Sequence, residues 1–260
     1  MKKILAFICI AACAAALFAG CGGSTPKVVI NNLDDLEGKT IGVQLGTTGD
    51  IFAEDVEGAT IERFNKGTDA VLALRQGKID AVIIDDQPAK VFVSQNNDIM
   101  ILEQPFEIES YAICISKDNP ELTAAFNRAI AELKADGTLQ AILDYWIGDV
   151  EGSSPYQSPS GVVRDKGTLV MATNAEFPPY EFIEGGEVVG IDPDFARAIC
   201  DRLGYDLRID DMNFDAIITA VQSGRADFGA AGMTITEDRL ENIDFTDSYI
   251  TATQVVIIRK

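Results

Sequence analysis

One short unit occurs twice in this chain, and it dictates much of what can be built around it. Ala73-Leu74-Arg75-Gln76-Gly77-Lys78-Ile79-Asp80 parallels Ala220-Val221-Gln222-Ser223-Gly224-Arg225-Ala226-Asp227. In each copy a helix ends at a glycine suited to the left-handed position after a helix, and a basic residue and an aspartate lead into a short apolar strand. The chain has 260 residues, enough for two domains of ordinary size, one per copy. Strands expected at 40–44, 60–64, 80–84, 99–103 and 111–116 are interleaved with helices at 50–56, 68–76, 87–95, 120–135 and 138–146. A turn-rich stretch at 151–167, with Gly152, Pro155, Pro159 and Gly161, reads as a linker. After it come strands at 168–173, 180–183, 206–210, 227–231 and 253–259, and helices at 192–203, 214–223 and 236–241. Such alternation predicts an α/β fold with mostly parallel sheets.

Ligands of open α/β sheets sit beyond the carboxyl ends of the strands. The two repeated strands should end near Asp85 and Gly232, so two sheets facing each other would bring both ends onto one ligand. The loops there carry suitable chemistry. Gly232-Met233-Thr234-Ile235-Thr236-Glu237-Asp238-Arg239 leads into a helix with Thr236 as its N-cap and Arg239 in its first turn. A guanidinium beside helix-start N–H groups suits a carboxylate, whose two oxygens match its fork. Gln44-Leu45-Gly46-Thr47-Thr48-Gly49-Asp50 adds N–H and hydroxyl donors, and it is not a phosphate loop because the GxxxxGK[ST] lysine is missing. Asp85 suits an ammonium, although it is also placed to cap the following helix. The combination fits a zwitterion. Phe177, Tyr180 and Phe214 serve either as core or as aromatic walls, and Pro178-Pro179 imposes an extended loop next to Phe177.

Composition excludes several classes. With no His, the chain has no Ser-His-Asp or Cys-His catalysis and no His-ligated metal. With 41 acidic against 21 basic residues, its formal charge of −20 repels phosphates, so nucleic acid is not an expected partner. No cofactor and no metal are expected. At the N-terminus, Lys2 and Lys3 precede the apolar run Ile4–Leu17, which is too short to span a bilayer. Leu17-Phe18-Ala19-Gly20-Cys21 follows, with Phe18 where Leu is usual. The pattern resembles a lipoprotein signal over 1–20, with Cys21 lipidated and 21–32 as a tether. Of five cysteines, Cys114 and Cys200 lie in the folded part and are expected to be buried free thiols.

The segments Ala172-Thr173-Asn174-Ala175-Glu176-Phe177-Pro178-Pro179-Tyr180-Glu181-Phe182, Gly190-Ile191-Asp192, Ala231–Arg239 and Ile243-Asp244-Phe245-Thr246-Asp247-Ser248-Tyr249 resemble the polar amino acid-binding proteins of ABC importers. That resemblance covers nearly all of 31–260. It implies the two-lobed periplasmic-binding-protein type II fold, with Phe177 and Phe214 flanking the ligand side chain. It further implies that Thr234, Arg239, Thr47 and Thr48 hold the carboxylate, and that Gly232 and Asp85 hold the ammonium. Glu176, Asn174 and Gln44 are candidates for side-chain specificity, favouring cationic or amide groups. Pro193 is a mild departure from the family pattern.

The order also departs from the family. There the segment like 168–260 comes first, so this chain resembles a circular permutant. The expected division is lobe 2 over 33–111, a hinge strand with return helices over 112–148, a joining linker over 149–167, and lobe 1 with a hinge strand over 168–260. The new ends are expected to fall at a hinge strand, leaving only the crossing near Tyr111–Ser116 covalent. The implied function is capture of an L-amino acid outside the cytoplasm by a monomer, lipid-anchored to the outer face of the cytoplasmic membrane, with delivery to a permease and no catalysis. The alternatives are an enzyme on the same fold, such as a cyclohexadienyl dehydratase-like protein with Glu176 as acid–base, or a sensor domain for a separate receptor.

Overall fold

The computed structural model describes residues 29–148 and 150–260; the signal segment 1–20, Cys21 and the tether up to residue 28 lie outside the described residues. A 3-10 turn at Leu33–Leu36 is followed by β1 (Thr40–Gln44), α1 (Thr48–Ala53), β2 (Thr60–Phe64), α2 (Gly67–Arg75), β3 (Ala81–Asp85), α3 (Asp86–Gln95), β4 (Ile99–Ile101), β5 (Glu107–Tyr111) and β6 (Cys114–Ile115). Two helices, α4 (Pro120–Ala135) and α5 (Thr138–Trp146), close the first half. The second half runs β7 (Thr168–Thr173), β8 (Glu176–Phe177), β9 (Glu181–Glu184), β10 (Glu187–Val189), α6 (Ile191–Leu203), β11 (Asp206–Asp211), a 3-10 turn at Phe214–Ala216, and α7 (Ile217–Gln222). It ends with β12 (Phe228–Gly229), α8 (Glu237–Asn242), β13 (Asp244–Phe245) and β14 (Ile250–Arg259). The expected elements are present with ends displaced by a few residues, except that the strand expected at 111–116 is interrupted at Ala112-Ile113, leaving β5 in one sheet and β6 in the other. The short strands β8, β10 and β13 were not expected.

Two main sheets form. One has the order β2-β1-β3-β14-β4, with β5 also on β14, and the other has the order β11-β7-β12-β6-β13. β1 pairs in parallel with β2 and β3, and β7 pairs in parallel with β11 and β12. Such strands are covered on both faces by helices, which is why β3 (Ala-Val-Ile-Ile-Asp) is buried at every position. A third, antiparallel sheet of β8, β9 and β10 stands beside the cleft. Cys114 and Cys200 are free and buried, and burial pushes both thiols up to about 12.

The chain crosses between the main sheets twice, from β5 to β6 and from β13 to β14. β14 pairs first with β5 (Ile250 opposite Tyr111) and then with β3 (Gln254 opposite Asp85), so one ten-residue strand serves as hinge and as a central strand of the first sheet. This corrects the expected position of the chain ends. Neither crossing is severed: Lys260 lies past the hinge, where its N–H donates to the Asp98 carbonyl at 3.0 Å. Ile30 shares an apolar cluster with Leu36, Leu102, Val256 and Ile258, so both ends of the described chain lie in the first lobe.

The segment 150–167 has no helix or strand, yet it is fastened to α6. The Tyr156 N–H donates to Asp194 Oδ2 at 3.0 Å, and so does Trp146 Nε1 at 2.9 Å. Tyr156 Oη donates to Asp201 at 3.0 Å, and Arg164 pairs with the same carboxylate at 2.5 Å. The segment is therefore a strap across α6 and not a loose tether. Asp194→Ala would strand two donors in a largely buried place, each costing about 1–3 kcal/mol. We expect urea denaturation to show a loss of roughly 2 kcal/mol, with faster proteolytic cutting inside 150–167.

Candidate functional site

A narrow cleft between the two main sheets is lined by Gln44, Thr47, Thr48, Asp85, Asn174, Phe177, Glu181, Phe214, Ala231, Gly232 and Arg239. Both repeated strands end in it, as their shared pattern requires: Asp85 closes β3, and Ala231-Gly232 follows β12.

Arg239 is the positive group of this cleft. Thr236 caps α8, its hydroxyl accepting the Arg239 N–H at 3.2 Å, which sets the guanidinium at the helix start. Nη1 donates to the Thr234 carbonyl at 2.7 Å, and Nη2 donates to the Gly46 carbonyl of the opposite lobe at 2.9 Å. The guanidinium lies 5.4 Å from the Phe214 ring centre, a stacking geometry. Its partners are carbonyls, so its charge is buried without a carboxylate in hydrogen-bonding contact; burial lowers its pKa from the ordinary arginine value.

Opposite stand carboxyl groups. Asp85 occupies the N-cap position of α3 but makes no capping bond; its carboxyl instead accepts from the Tyr111 hydroxyl. Burial, reinforced by neighbouring Glu109, pushes Asp85 well above the usual carboxylate range. Glu181, on β9, is fully buried, and neither of its carboxyl oxygens has a hydrogen-bond donor. Burial and the adjacent Asp192 push its pKa well up. Asp192 takes the available donors, the Gly232 N–H at 2.8 Å and the Tyr249 hydroxyl at 2.6 Å.

The remaining groups shape the walls. Gly232 has φ +52°, and a Cβ there would stand 2.9 Å from the Phe177 ring, so glycine lets that aromatic wall come close. Phe177 stacks on Tyr180 at 5.6 Å. Gln44 Nε2 donates to Asn174 Oδ1 across the lobes at 2.8 Å, while Asn174 Nδ2 donates to the Met212 carbonyl at 2.8 Å. The Thr47 hydroxyl donates to the Gln44 carbonyl at 2.8 Å, and Thr48 accepts a long hydrogen bond from Gln254 at 3.4 Å.

Of the residues singled out from the sequence, nine line the cleft. Thr234 contributes its carbonyl to Arg239 and is buried outside the cleft wall. Glu176 is a correction: it pairs with Lys66 at the partly exposed rim, because β8 turns its side chain away from the cavity that Phe177 enters. Glu181 was missed as a site residue. Its signal was an acid flanked by Tyr180 and Phe182 just after two prolines.

Two stretches, residues 61–149 and 169–260, match the family model of the bacterial extracellular solute-binding proteins, family 3. Together they span well over half of the chain, which belongs to this family and has its two-lobed type II periplasmic-binding-protein fold. Its relatives include the "Arginine-binding extracellular protein ArtP" of Bacillus subtilis, 38% identical over 40% of each chain, and the "L-cystine-binding protein TcyJ" of Escherichia coli, 35% identical over 46% of each. The chain thus spans less than half the length of these curated relatives. Among solved structures, "An ancestral arginine-binding protein bound to arginine" is 48% identical over 33% of this chain and 38% of that one, with a TM-score of 0.32.

Burial raises the Asp192 pKa from 3.8 to about 6. Between those values the folded protein holds a proton that the unfolded chain has released. Stability contributed by this group is therefore present below about pH 4 and lost as pH rises toward 6, by roughly 3 kcal/mol. We expect Asp192→Asn to shrink the decline of urea-unfolding stability over that window.

Proposed function

We propose that this chain is an extracytoplasmic, lipid-anchored binding protein that closes on an L-amino acid with a cationic side chain and hands it to an ABC permease. One observation carries the ligand class: a lone buried guanidinium faces two buried carboxyl groups, Asp85 and Glu181, across an enclosed cleft. The ligand's carboxylate would go to Arg239, assisted by the Thr47-Thr48 loop, and its α-ammonium to Asp85 and the Gly232 region. Its side chain would lie between Phe177 and Phe214, with the cationic end at Glu181. Gln44 and Asn174 would join the lobes over it. An acidic side chain would meet Glu181 and Asp192, where like charges in low dielectric repel strongly.

Names among the relatives support this reading. ArtP is named an arginine-binding protein, and the Chlamydia trachomatis relative is named "Probable ABC transporter arginine-binding protein ArtJ". Among the described residues no helix is long and apolar enough to cross a membrane, and the lipid anchor at Cys21 rests on the signal pattern alone. The order of the halves fits a circular permutant. Supporting this are the two separate family matches and the packing of Ile30 against Ile258, where a strand in the family's order would run on.

The test is a thermal-shift and calorimetry screen of the twenty amino acids. L-Arginine or L-lysine at 100 times Kd adds about 2.7 kcal/mol of stability, and L-glutamate adds none. Arg239→Ala should weaken binding by about 2–5 kcal/mol while the fold persists. A shift with L-glutamate, or unchanged affinity in the Arg239 variant, contradicts the assignment.

A further inference from the structure

The cleft wall and the layer directly behind it hold more carboxyl groups than the one guanidinium there can balance, and they come in pairs. Glu181 is paired with Asp192, whose N–H donates to the carbonyl of the preceding Tyr180 at 3.0 Å and so sets the two carboxyls on adjoining backbone. Asp85 is paired with Glu109 of β5, whose carboxyl accepts from Gln254 Nε2 at 3.0 Å on one oxygen and is unpartnered on the other. All four are buried. Each pair lies within a single lobe, Glu181 and Asp192 beside the second sheet and Asp85 and Glu109 in the first, so opening the cleft does not separate either one.

The surroundings give little compensation. Glu181 also faces Asp85 and Asp211, with the hydroxyls of Tyr180 and Tyr249 close to the pair. Asp85 and Glu109 face Tyr111, Tyr180, Gln254 and Arg239, and Arg239 spends its N–H groups on carbonyls. Two adjacent buried carboxyls do not both ionise, so one of each pair keeps its proton.

We propose that ligand capture here is a cation-for-proton exchange, in which each buried carboxyl pair holds one proton in the unliganded protein and gives it to solvent as a ligand cation takes its place. At each pair the carboxyl O–H bond breaks, the proton passes to water or buffer, and an N–H of the ligand forms a charge-assisted bond to the carboxylate left behind. The α-ammonium discharges the Asp85–Glu109 pair, and a cationic side chain discharges the Glu181–Asp192 pair. The second exchange rests on the cationic reading of the cleft; the first holds for any amino acid.

The experiment is titration calorimetry of the protein near pH 7.5, above the Asp192 range, in two buffers of different ionisation enthalpy, with L-arginine and with L-glutamine. We expect about two protons released per L-arginine and about one per L-glutamine, with Glu181→Gln releasing about one fewer with L-arginine. A second readout needs no variant: the Kd for L-arginine should tighten between tenfold and a hundredfold from pH 6.5 to pH 7.5. Binding enthalpy independent of buffer, with a flat Kd, overturns the exchange while leaving the cationic reading intact. If L-glutamine binds and L-arginine does not, the cationic reading fails, and one proton released with L-glutamine still upholds the exchange at Asp85 and Glu109, whereas none overturns it.

Discussion

A guanidinium and several carboxyl groups share one water-poor cleft, and the energetics of buried charge govern the structure around them. Moving an ion out of water costs several kcal/mol unless partners replace its hydration. Arg239 meets that demand with two carbonyls, one from each lobe, so the group that would receive a ligand's carboxylate also bridges the lobes. Asp85 and Asp192 meet it with tyrosine hydroxyls and a backbone N–H. Glu181 has no donor, and burial beside Asp192 pushes its pKa well above the usual carboxylate range. A cation placed beside it would complete the set.

The fold delivers these groups by making one strand do two tasks. β14 follows β13 out of the second sheet, pairs with β5 as a hinge, and then inserts between β3 and β4. Its Gln254 sits opposite Asp85 in the ladder and donates to Glu109, so the hinge itself organises one carboxyl pair. Gln44 donates to Asn174 and Lys66 pairs with Glu176, so the two lobes touch directly across the cleft.

Most of the architecture was legible because helix stops and strand starts repeat: Gly77 and Gly224 mark the same corner in both halves, and apolar runs such as Ala81–Ile84 have no other use than a covered parallel strand. Three strands of two or three residues were not, because so short a run has no period. The place where β14 leaves one lobe was also invisible, since Ile250–Arg259 is a single extended run without a breaker. Arg239, Asp85 and the Gly-Thr loop were legible from strand ends and helix caps. Glu181 was not, because alternation between Tyr180 and Phe182 reads as an exposed charge on a half-buried strand. Only the packing of β9 against α6 turns that position inward.

The central claim is that the cleft orders an amino acid by charge, carboxylate at Arg239 and side-chain cation at Glu181. A crystal structure with L-arginine bound tests it most directly. The account predicts both ligand carboxylate oxygens within hydrogen-bonding distance of the Arg239 guanidinium, the α-ammonium on Asp85, and the ligand guanidinium on Glu181 between Phe177 and Phe214. A ligand lying in the reverse direction, or one whose guanidinium avoids Glu181 for solvent or the rim at Glu176, would contradict it.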